Sequence, residues 1–195
     1  GNSEEDLFSE IESLLNNSFN PVHPGSLAHL DPPPLIFSIL GDLIAAGLNN
    51  NLLAYELSPG LTLLEESLCK WFAKKIGFNN DYSGGITASG GTLSNLNALI
   101  AARNNAGLGS DPNCVLIVSD DAHSSFIKCI KIMGLDATNL VRIKTDNQGR
   151  MDINNLRESL DKCLIENKKI FAIVATLGTT VRGAIDPIKE ISEIC

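Results

Sequence analysis

From residue 86 onward, the chain alternates short apolar runs with segments of helical periodicity. Strands that alternate with helices pair in parallel, because each intervening helix carries the chain back across the sheet. Two of the runs are continuously apolar, as strands covered on both faces should be. The pattern therefore predicts an α/β domain with a mostly parallel sheet between layers of helices. The predicted strands are residues 86–88, CVLIVS, LVRIK and IFAIVAT.

Helices are expected between and after these strands, and each has a recognisable start or stop. They cover residues 92–106, 123–133 and 153–167, and a last helix begins at Pro187. DNQG predicts a turn after LVRIK. The final helical pattern, DPIKEISEIC, has no Gly or Asn stop signal, and at least one further strand is expected. We therefore expect the chain to be the N-terminal portion of a longer protein.

The first 77 residues differ in pattern and are predicted to form a helical arm. Helices are expected over residues 3–17 and 35–48, and a third runs from an N-cap at Ser58 to a stop at Gly77. Between the first two lies FNPVHPGSLAHLDPPP, whose five prolines impose an extended, irregular path. We divide the chain into this arm, residues 1–77, and the first part of a large sheet domain, residues 78–195.

Composition argues against several classes of protein. The 195 residues carry 15 Lys and Arg against 23 Asp and Glu, whereas nucleic-acid binding needs clustered positive charge. Five cysteines without a CxxC pair and three histidines provide no zinc motif, so no metal is expected. No apolar run approaches the roughly 20 residues that cross a bilayer, and no signal peptide is recognisable. We expect a cytoplasmic protein with reduced thiols and no membrane or nucleic-acid partner.

Polar segments follow three of the predicted strands. In open parallel sheets, ligands bind at the carboxyl ends of the strands. We therefore predict that the three segments converge on one site, to which they bring two glycines, His123, and a pair of threonines. The segments are SGGTLSN, DDAHSS and TLGTTVRGAID.

Each of these features also has a simpler structural explanation. Gly90 and Gly91 permit close approach of a phosphate to the first N–H groups of a helix, but a plain turn capped by Thr or Ser explains them equally. His123 is equally well a solvent-exposed residue at a helix start. Thr179 and Thr180 fit turn hydroxyls that bond their own backbone, and Asp186 before Pro187 fits an N-cap. The residues leave both interpretations open.

Two other enzyme classes are disfavoured by their motifs. A dinucleotide-binding fold, in which Asp120 or Asp121 would hold a ribose, requires G-x-G-x-x-G, and SGGTLSN does not match it. A serine hydrolase requires a G-x-S-x-G turn, which the sequence does not contain.

Five ordered motifs resemble the group II pyridoxal-phosphate-dependent amino-acid decarboxylases, which include the glutamate, aromatic-amino-acid, cysteine-sulfinate and 2,4-diaminobutyrate enzymes. The resemblance spans about residues 20–195. It implies the type I aminotransferase-like fold, pyridoxal 5'-phosphate as cofactor, and loss of the α-carboxylate of an L-amino acid to give an amine. It also implies a homodimer with active sites at the subunit interface. The motifs are HPGSLAHLDPPP, ELSPGLTLLEE, TASGGTLSN, SDDAHSS and ATLGTTVRGAIDPI.

The resemblance also implies roles for particular residues. Backbone N–H groups of the glycine turn would hold the cofactor phosphate, and this turn comprises Gly90, Gly91, Thr92 and Leu93. His123 would stack on the pyridine ring as the catalytic residue, and Thr180 would contact the cofactor. His29 and Pro32 would reach the substrate, although they replace an aromatic residue and a threonine of the aromatic-amino-acid enzymes. The lysine that bonds the cofactor and the aspartate that pairs with its ring nitrogen would lie beyond Cys195.

Two further functions are compatible with the sequence. The chain fits a non-catalytic short paralogue, or half of a split enzyme that assembles with a partner chain. It also fits another type I pyridoxal-phosphate enzyme, such as a carbon–carbon lyase.

Overall fold

The structure is a computed structural model that describes residues 4–27, 32–78 and 82–195. Its contacts divide the chain into two compact units, Gly1–Ser67 and Leu68–Cys195. The predicted division after residue 77 stays a prediction, because helix α3, Pro59–Lys75, crosses the boundary between the units.

The first unit is helical, as its periodicity predicts. Helix α1 spans Glu4–Asn16 and α2 spans Ile36–Leu48, within two residues of the expected bounds. Neither helix buries a single residue. Helix α3 begins at Pro59 as predicted, and the carbonyl of the preceding Ser58 accepts the backbone N–H of Thr62 at 3.0 Å.

The second unit contains the predicted parallel sheet. Strands β1 (Cys114–Ser119), β2 (Leu140–Ile143) and β3 (Lys169–Ile173) lie in the order β2-β1-β3, and both pairings are parallel. All six residues of β1 are buried, because helices cover both faces of the central strand. Its CVLIVS run is apolar for this reason.

Four helices flank the strands of this unit. They are α4 (Gly91–Asn105), α5 (Ser125–Ile132), α6 (Ile153–Ile165) and α7 (Ile188–Ile194). On one face, Leu116 and Val118 of β1 pack in a cluster with side chains of α4 and α5. On the other face, Ile117 packs in a cluster with side chains of α6 and α7. Alternate residues of one strand therefore belong to two cores, as the period of a strand requires.

Three sequence predictions are corrected by the structure. Residues 86–88 do not form a β-strand, because their backbone makes no ladder of hydrogen bonds with any described strand. Helix α5 begins at Ser125, so that His123 lies in the preceding turn. Asp186 is not an N-cap: Pro187 occupies that position, and the side chain of Asp186 is buried.

The predicted DNQG turn and the predicted free thiols are confirmed. DNQG forms a turn in which the N–H of Gly149 bonds the carbonyl of Asp146 at 2.9 Å and Gly149 has a φ of +77°. All five cysteines are free, and Cys114, Cys129 and Cys163 are buried. Within the described ranges, no helix has both the length and the apolar character needed to cross a bilayer.

Candidate functional site

The carboxyl ends of β1 and β3 lie at one edge of the sheet, because the two strands are parallel neighbours. β1 is followed by residues 120–124, which hold His123, and β3 is followed by residues 174–187, which hold Thr180. The predicted meeting of the second and third polar segments at one edge is thus the arrangement that the sheet imposes.

The glycine turn lies at the start of α4, with Gly90 at the N-cap position. Gly90 has a φ of 170°, an extended conformation that any residue adopts, and Gly91 is helical. No atom of the described residues comes within 4 Å of a Cβ built on either glycine, apart from their immediate chain neighbours. Neither the turn conformation nor internal packing therefore requires these two glycines.

This turn presents its backbone to an open space. A glycine at the N-cap has no side-chain oxygen to accept the first N–H groups, so the alternative of a turn capped by Thr or Ser does not describe this helix start. The first bond within the helix joins the N–H of Ser94 to the carbonyl of Gly90, at 3.1 Å. A cavity of about 410 Å³ is lined by residues 89–93 together with Leu96 and Ile132. Helix N-termini of this kind suit an anion, and the bare glycines leave room for a phosphate.

Side-chain contacts tie α4 to the start of α5. The amide Nδ2 of Asn95 donates to Oγ of the fully buried Ser125 at 3.0 Å. The thiol of Cys129 lies 3.7 Å from the carbonyl oxygen of Thr92, and burial raises the pKa of that thiol. The glycine turn is thereby placed beside the carboxyl end of β1, since α5 follows that strand.

His123 is exposed and lies two residues before Ser125. The backbone N–H of Ser125 donates to Nδ1 of His123 at 3.2 Å. Because that N–H can only donate, Nδ1 is the acceptor, and the proton of the neutral imidazole is on Nε2. One residue, Ser125, thus bonds both the His123 ring and the helix that begins at the glycine turn.

The two threonines after β3 have different environments. Thr179 is buried, and its Oγ1 accepts the N–H of Ala184 at 3.1 Å. This confirms for Thr179 the interpretation as a turn hydroxyl. Thr180 is exposed and follows directly, so it is the threonine that remains available to a ligand.

Asp186 stabilises the loop of residues 174–187, which follows β3 and carries Thr180. Its buried carboxylate accepts the N–H of Met151 and the N–H of Thr176, both at 2.7 Å. An isolated antiparallel bridge between Leu177 and Ile185 continues the closure. The loop that carries Thr180 is therefore closed at its base by backbone and side-chain bonds.

An ion pair joins the loop of His123 to the loop of Thr180. Nε of Arg182 lies 3.2 Å from Oδ2 of Asp121. Asp121 precedes His123 by two residues, and Arg182 follows Thr180 by two.

The structure brings most, but not all, of the predicted residues into one connected set. The bond from Asn95 to Ser125 links the helix that begins with Gly90, Gly91, Thr92 and Leu93 to the turn of His123. Thr180 lies in the loop that the ion pair of Arg182 and Asp121 joins to that turn. His29 lies outside the described residues, and Pro32 is exposed in the first unit. The residues whose side chains link these segments were not predicted from the sequence. The one sequence feature that could have indicated them is the pair of opposite charges, Asp121 and Arg182, two positions from His123 and Thr180. The missed residues are Asn95, Asp121, Ser125, Arg182 and, in its buried role, Asp186.

The open helix start at Gly90 belongs to a helix that is bonded to Ser125, next to His123, and Thr180 lies in the loop after the neighbouring parallel strand. The model of the pyridoxal-dependent decarboxylase conserved domain matches residues 1–195, and the chain belongs to this family. The predicted family is confirmed, and so is pyridoxal phosphate as the cofactor of that family.

Individual relatives agree with this assignment. The chain is 31% identical to L-2,4-diaminobutyrate decarboxylase of Acinetobacter baumannii, over 98% of this chain and 41% of the relative. It is 32% identical to aromatic-L-amino-acid decarboxylase of Bacillus atrophaeus, over 95% of this chain and 40% of the relative. The chain thus spans about two fifths of the length of these curated relatives.

Solved structures show the same fold. The crystal structure of mouse CSAD superimposes with a TM-score of 0.93 at 29% identity, over 100% of this chain and 42% of that one. Tryptophan decarboxylase of Catharanthus roseus, solved with L-tryptophan, gives a TM-score of 0.88 at 26% identity, over 100% and 44%. The predicted fold class, the first part of a type I aminotransferase-like α/β fold, is confirmed.

Proposed function

We propose that this chain is the cofactor-binding N-terminal part of a pyridoxal-phosphate-dependent decarboxylase, which converts an L-amino acid to the corresponding amine and carbon dioxide. The observation that carries the proposal is the glycine turn. Gly90 and Gly91 are required neither by their φ values nor by packing, yet they open the start of α4 next to the His123 turn. A group that approaches the backbone closely explains both glycines.

The phosphate of the cofactor would be held at the start of α4. Backbone N–H groups of Gly91, Thr92 and Leu93 belong to the first helical turn, and Gly90 supplies the bare approach to them. The positive end of the helix dipole adds to the attraction for a dianion. No lysine or arginine is needed for this contact.

His123 and Thr180 would position the remainder of the site. Bound pyridoxal phosphate supplies the electron sink for the charge left behind as carbon dioxide departs. The His123 imidazole offers a flat face to an aromatic ring, and its Nε2–H offers a proton to a carboxylate. The exposed hydroxyl of Thr180 adds a donor and acceptor from the neighbouring loop.

The substrate, the assembly and the compartment are also proposed. His29 and Pro32 are assigned to substrate binding through the family resemblance. A homodimer is supported by α1 and α2, which bury no residue although they carry apolar side chains such as Phe8, Leu15 and Phe37. Free, reduced thiols support a cytoplasmic location.

The test is a titration of the full-length gene product with pyridoxal phosphate, followed by equilibrium dialysis. Gly91→Val places a branched side chain at the phosphate approach, and we expect at least about tenfold weaker binding. Gly60→Val is the matched control, because Gly60 also lies in the first turn of a helix with nothing within 4 Å of its Cβ. It should leave the affinity unchanged.

Two results would contradict the proposal in different ways. Equal affinity of Gly91→Val and the wild type would favour a simple turn at Gly90 and Gly91. Tight cofactor binding without release of carbon dioxide from any L-amino acid would favour a non-catalytic member of the family.

A further inference from the structure

The pair formed by Asp121 and Arg182 is not explained by the roles assigned above. Its two members lie on different loops, 61 positions apart in the chain, and each is two residues from a proposed cofactor contact. No other ion pair among the described residues joins the loop after β1 to the loop after β3.

A third loop confines the pair. A Cβ built on Gly149 would lie 2.8 Å from Cδ of Arg182 and 3.3 Å from Oδ2 of Asp121. Gly149 also has the left-handed φ that favours glycine. The side chain of Arg182 therefore packs closely against the backbone of Gly149. This close packing restricts the positions open to its guanidinium.

The guanidinium of Arg182 compensates the negative charge of Asp121. Oδ2 of Asp121 is buried, and no N–H or O–H of the described residues bonds it in hydrogen-bonding geometry. A buried carboxylate oxygen without compensation is costly. The guanidinium at 3.2 Å is the positive group that compensates it.

We propose that Asp121 and Arg182 form a positioning pair, which fixes the His123 loop relative to the Thr180 loop and so raises the affinity for the cofactor. The inference rests on the proposed function. The pair acts through the two loops and does not itself contact the cofactor. Its contribution is electrostatic, since the contact lacks hydrogen-bond alignment.

The experiment measures the dissociation constant of pyridoxal phosphate for the full-length protein by equilibrium dialysis. Asp121→Asn and Arg182→Gln should each weaken binding about two- to fivefold, the range expected for a partly exposed ion pair. The double variant should bind no more weakly than either single variant, because both remove the same interaction. Arg182→Lys should recover most of the affinity.

A matched control ion pair lies where β3 begins and just before β1 begins. Lys169 and Asp111 form a 2.7 Å ion pair with side-chain exposures of 56% and 19%, close to the 53% and 24% of Arg182 and Asp121. This pair lies where β3 begins, at the opposite end of the sheet from the site. Lys169→Gln should leave cofactor affinity unchanged.

The salt dependence of the affinity for pyridoxal phosphate tests whether the pair acts through charge. At about 1 M NaCl, screening should bring the dissociation constant of the wild type close to that of Arg182→Gln measured at the same salt concentration. Neutral variants that bind like the wild type, or a Lys169→Gln variant that is equally weakened, would overturn the inference. Should the neutral variants fail to fold, Asp121→Glu replaces them, because its longer side chain has to leave the close contact beside Gly149. Unchanged affinity in Asp121→Glu would then overturn the inference.

Failure of the proposed function gives a different result. If the wild-type protein does not bind pyridoxal phosphate, the cofactor assignment fails. If the wild type binds and the variants match it, only the positioning role fails.

Discussion

Nδ2 of Asn95 donates a hydrogen bond to Oγ of Ser125 across 3.0 Å, and this bond joins the helix of the glycine turn to the helix that follows His123. The same serine donates its backbone N–H to the His123 ring. The helix of the glycine turn and the His123 imidazole are therefore held in one hydrogen-bonded unit, although 30 positions separate Asn95 from Ser125.

Ser125→Ala removes the acceptor of the Asn95 amide in a buried place. We expect the free energy of unfolding to fall by about 0.5–1.5 kcal/mol, because a partly buried hydrogen bond between α4 and α5 is lost. Urea denaturation measures the change. Ser124→Ala, at the exposed neighbouring position, is the control and should stay within about 0.5 kcal/mol of the wild type. Equal effects of the two variants would refute the structural role of this bond.

His123→Ala tests the catalytic assignment. Loss of a positioned proton-transfer group lowers rates by roughly 10²-fold or more, and we expect this for decarboxylation by the full-length protein with the fold retained. His23→Ala is a close control, because Nδ1 of this exposed histidine also accepts the backbone N–H two residues on, at 3.0 Å. Near-normal turnover in His123→Ala would remove His123 from the mechanism.

Asp186→Ala tests the difference between an N-cap and a buried carboxylate. Asp152 is an ordinary N-cap that accepts two N–H groups of α6, and its replacement by Ala should cost about 0.5–2 kcal/mol. Asp186→Ala should cost about 3 kcal/mol or more, because two charged hydrogen bonds are lost inside the protein. Chemical denaturation of both variants measures the two losses in the free energy of unfolding. A cost for Asp186 no larger than that for Asp152 would restore the N-cap interpretation.

Stability should fall on acidification. The Lys169 ammonium, which bonds the Asp111 carboxylate, and the N–H of Asn113 lower the pKa of Asp111. Bonds from Arg150 lower the pKa of Asp146, and those from Lys168 lower that of Glu166. A depressed folded-state pKa gives stability that is complete above the unfolded value and is lost as the pH falls through the folded one.

The expected profile is flat between about pH 5 and about pH 8 and declines below about pH 4, as these carboxylates take up protons. Urea midpoints measured across a pH series report it. Asp111→Asn should make the acid decline shallower, since one of the contributing carboxylates is absent. A midpoint that rises between pH 5 and pH 3 would be inconsistent with these assignments.

Local patterns allowed much of this fold to be predicted. The CVLIVS run predicts a central strand because burial on both faces favours apolar side chains at nearly every position. Gly149 is predictable because its turn needs a residue with a left-handed backbone conformation. The positions of helices follow from periodicity within 15 or so residues, where the hydrophobic face is visible in the chain itself. The polar segments after successive strands meet because parallel strands end at one edge.

Tertiary structure decided the features whose partners are distant in the chain. Residues 86–88 have strand composition, but a ladder needs a neighbour that their own sequence cannot specify. Asp186 has the local sequence of an N-cap, yet its carboxylate bonds Met151, 35 positions away. Likewise, the opposite charges of Asp121 and Arg182 are visible in the sequence, but their pairing is not, because the two residues lie on different loops. Propensity and periodicity act over a few residues, whereas these bonds depend on how the folded sheet brings separate loops together.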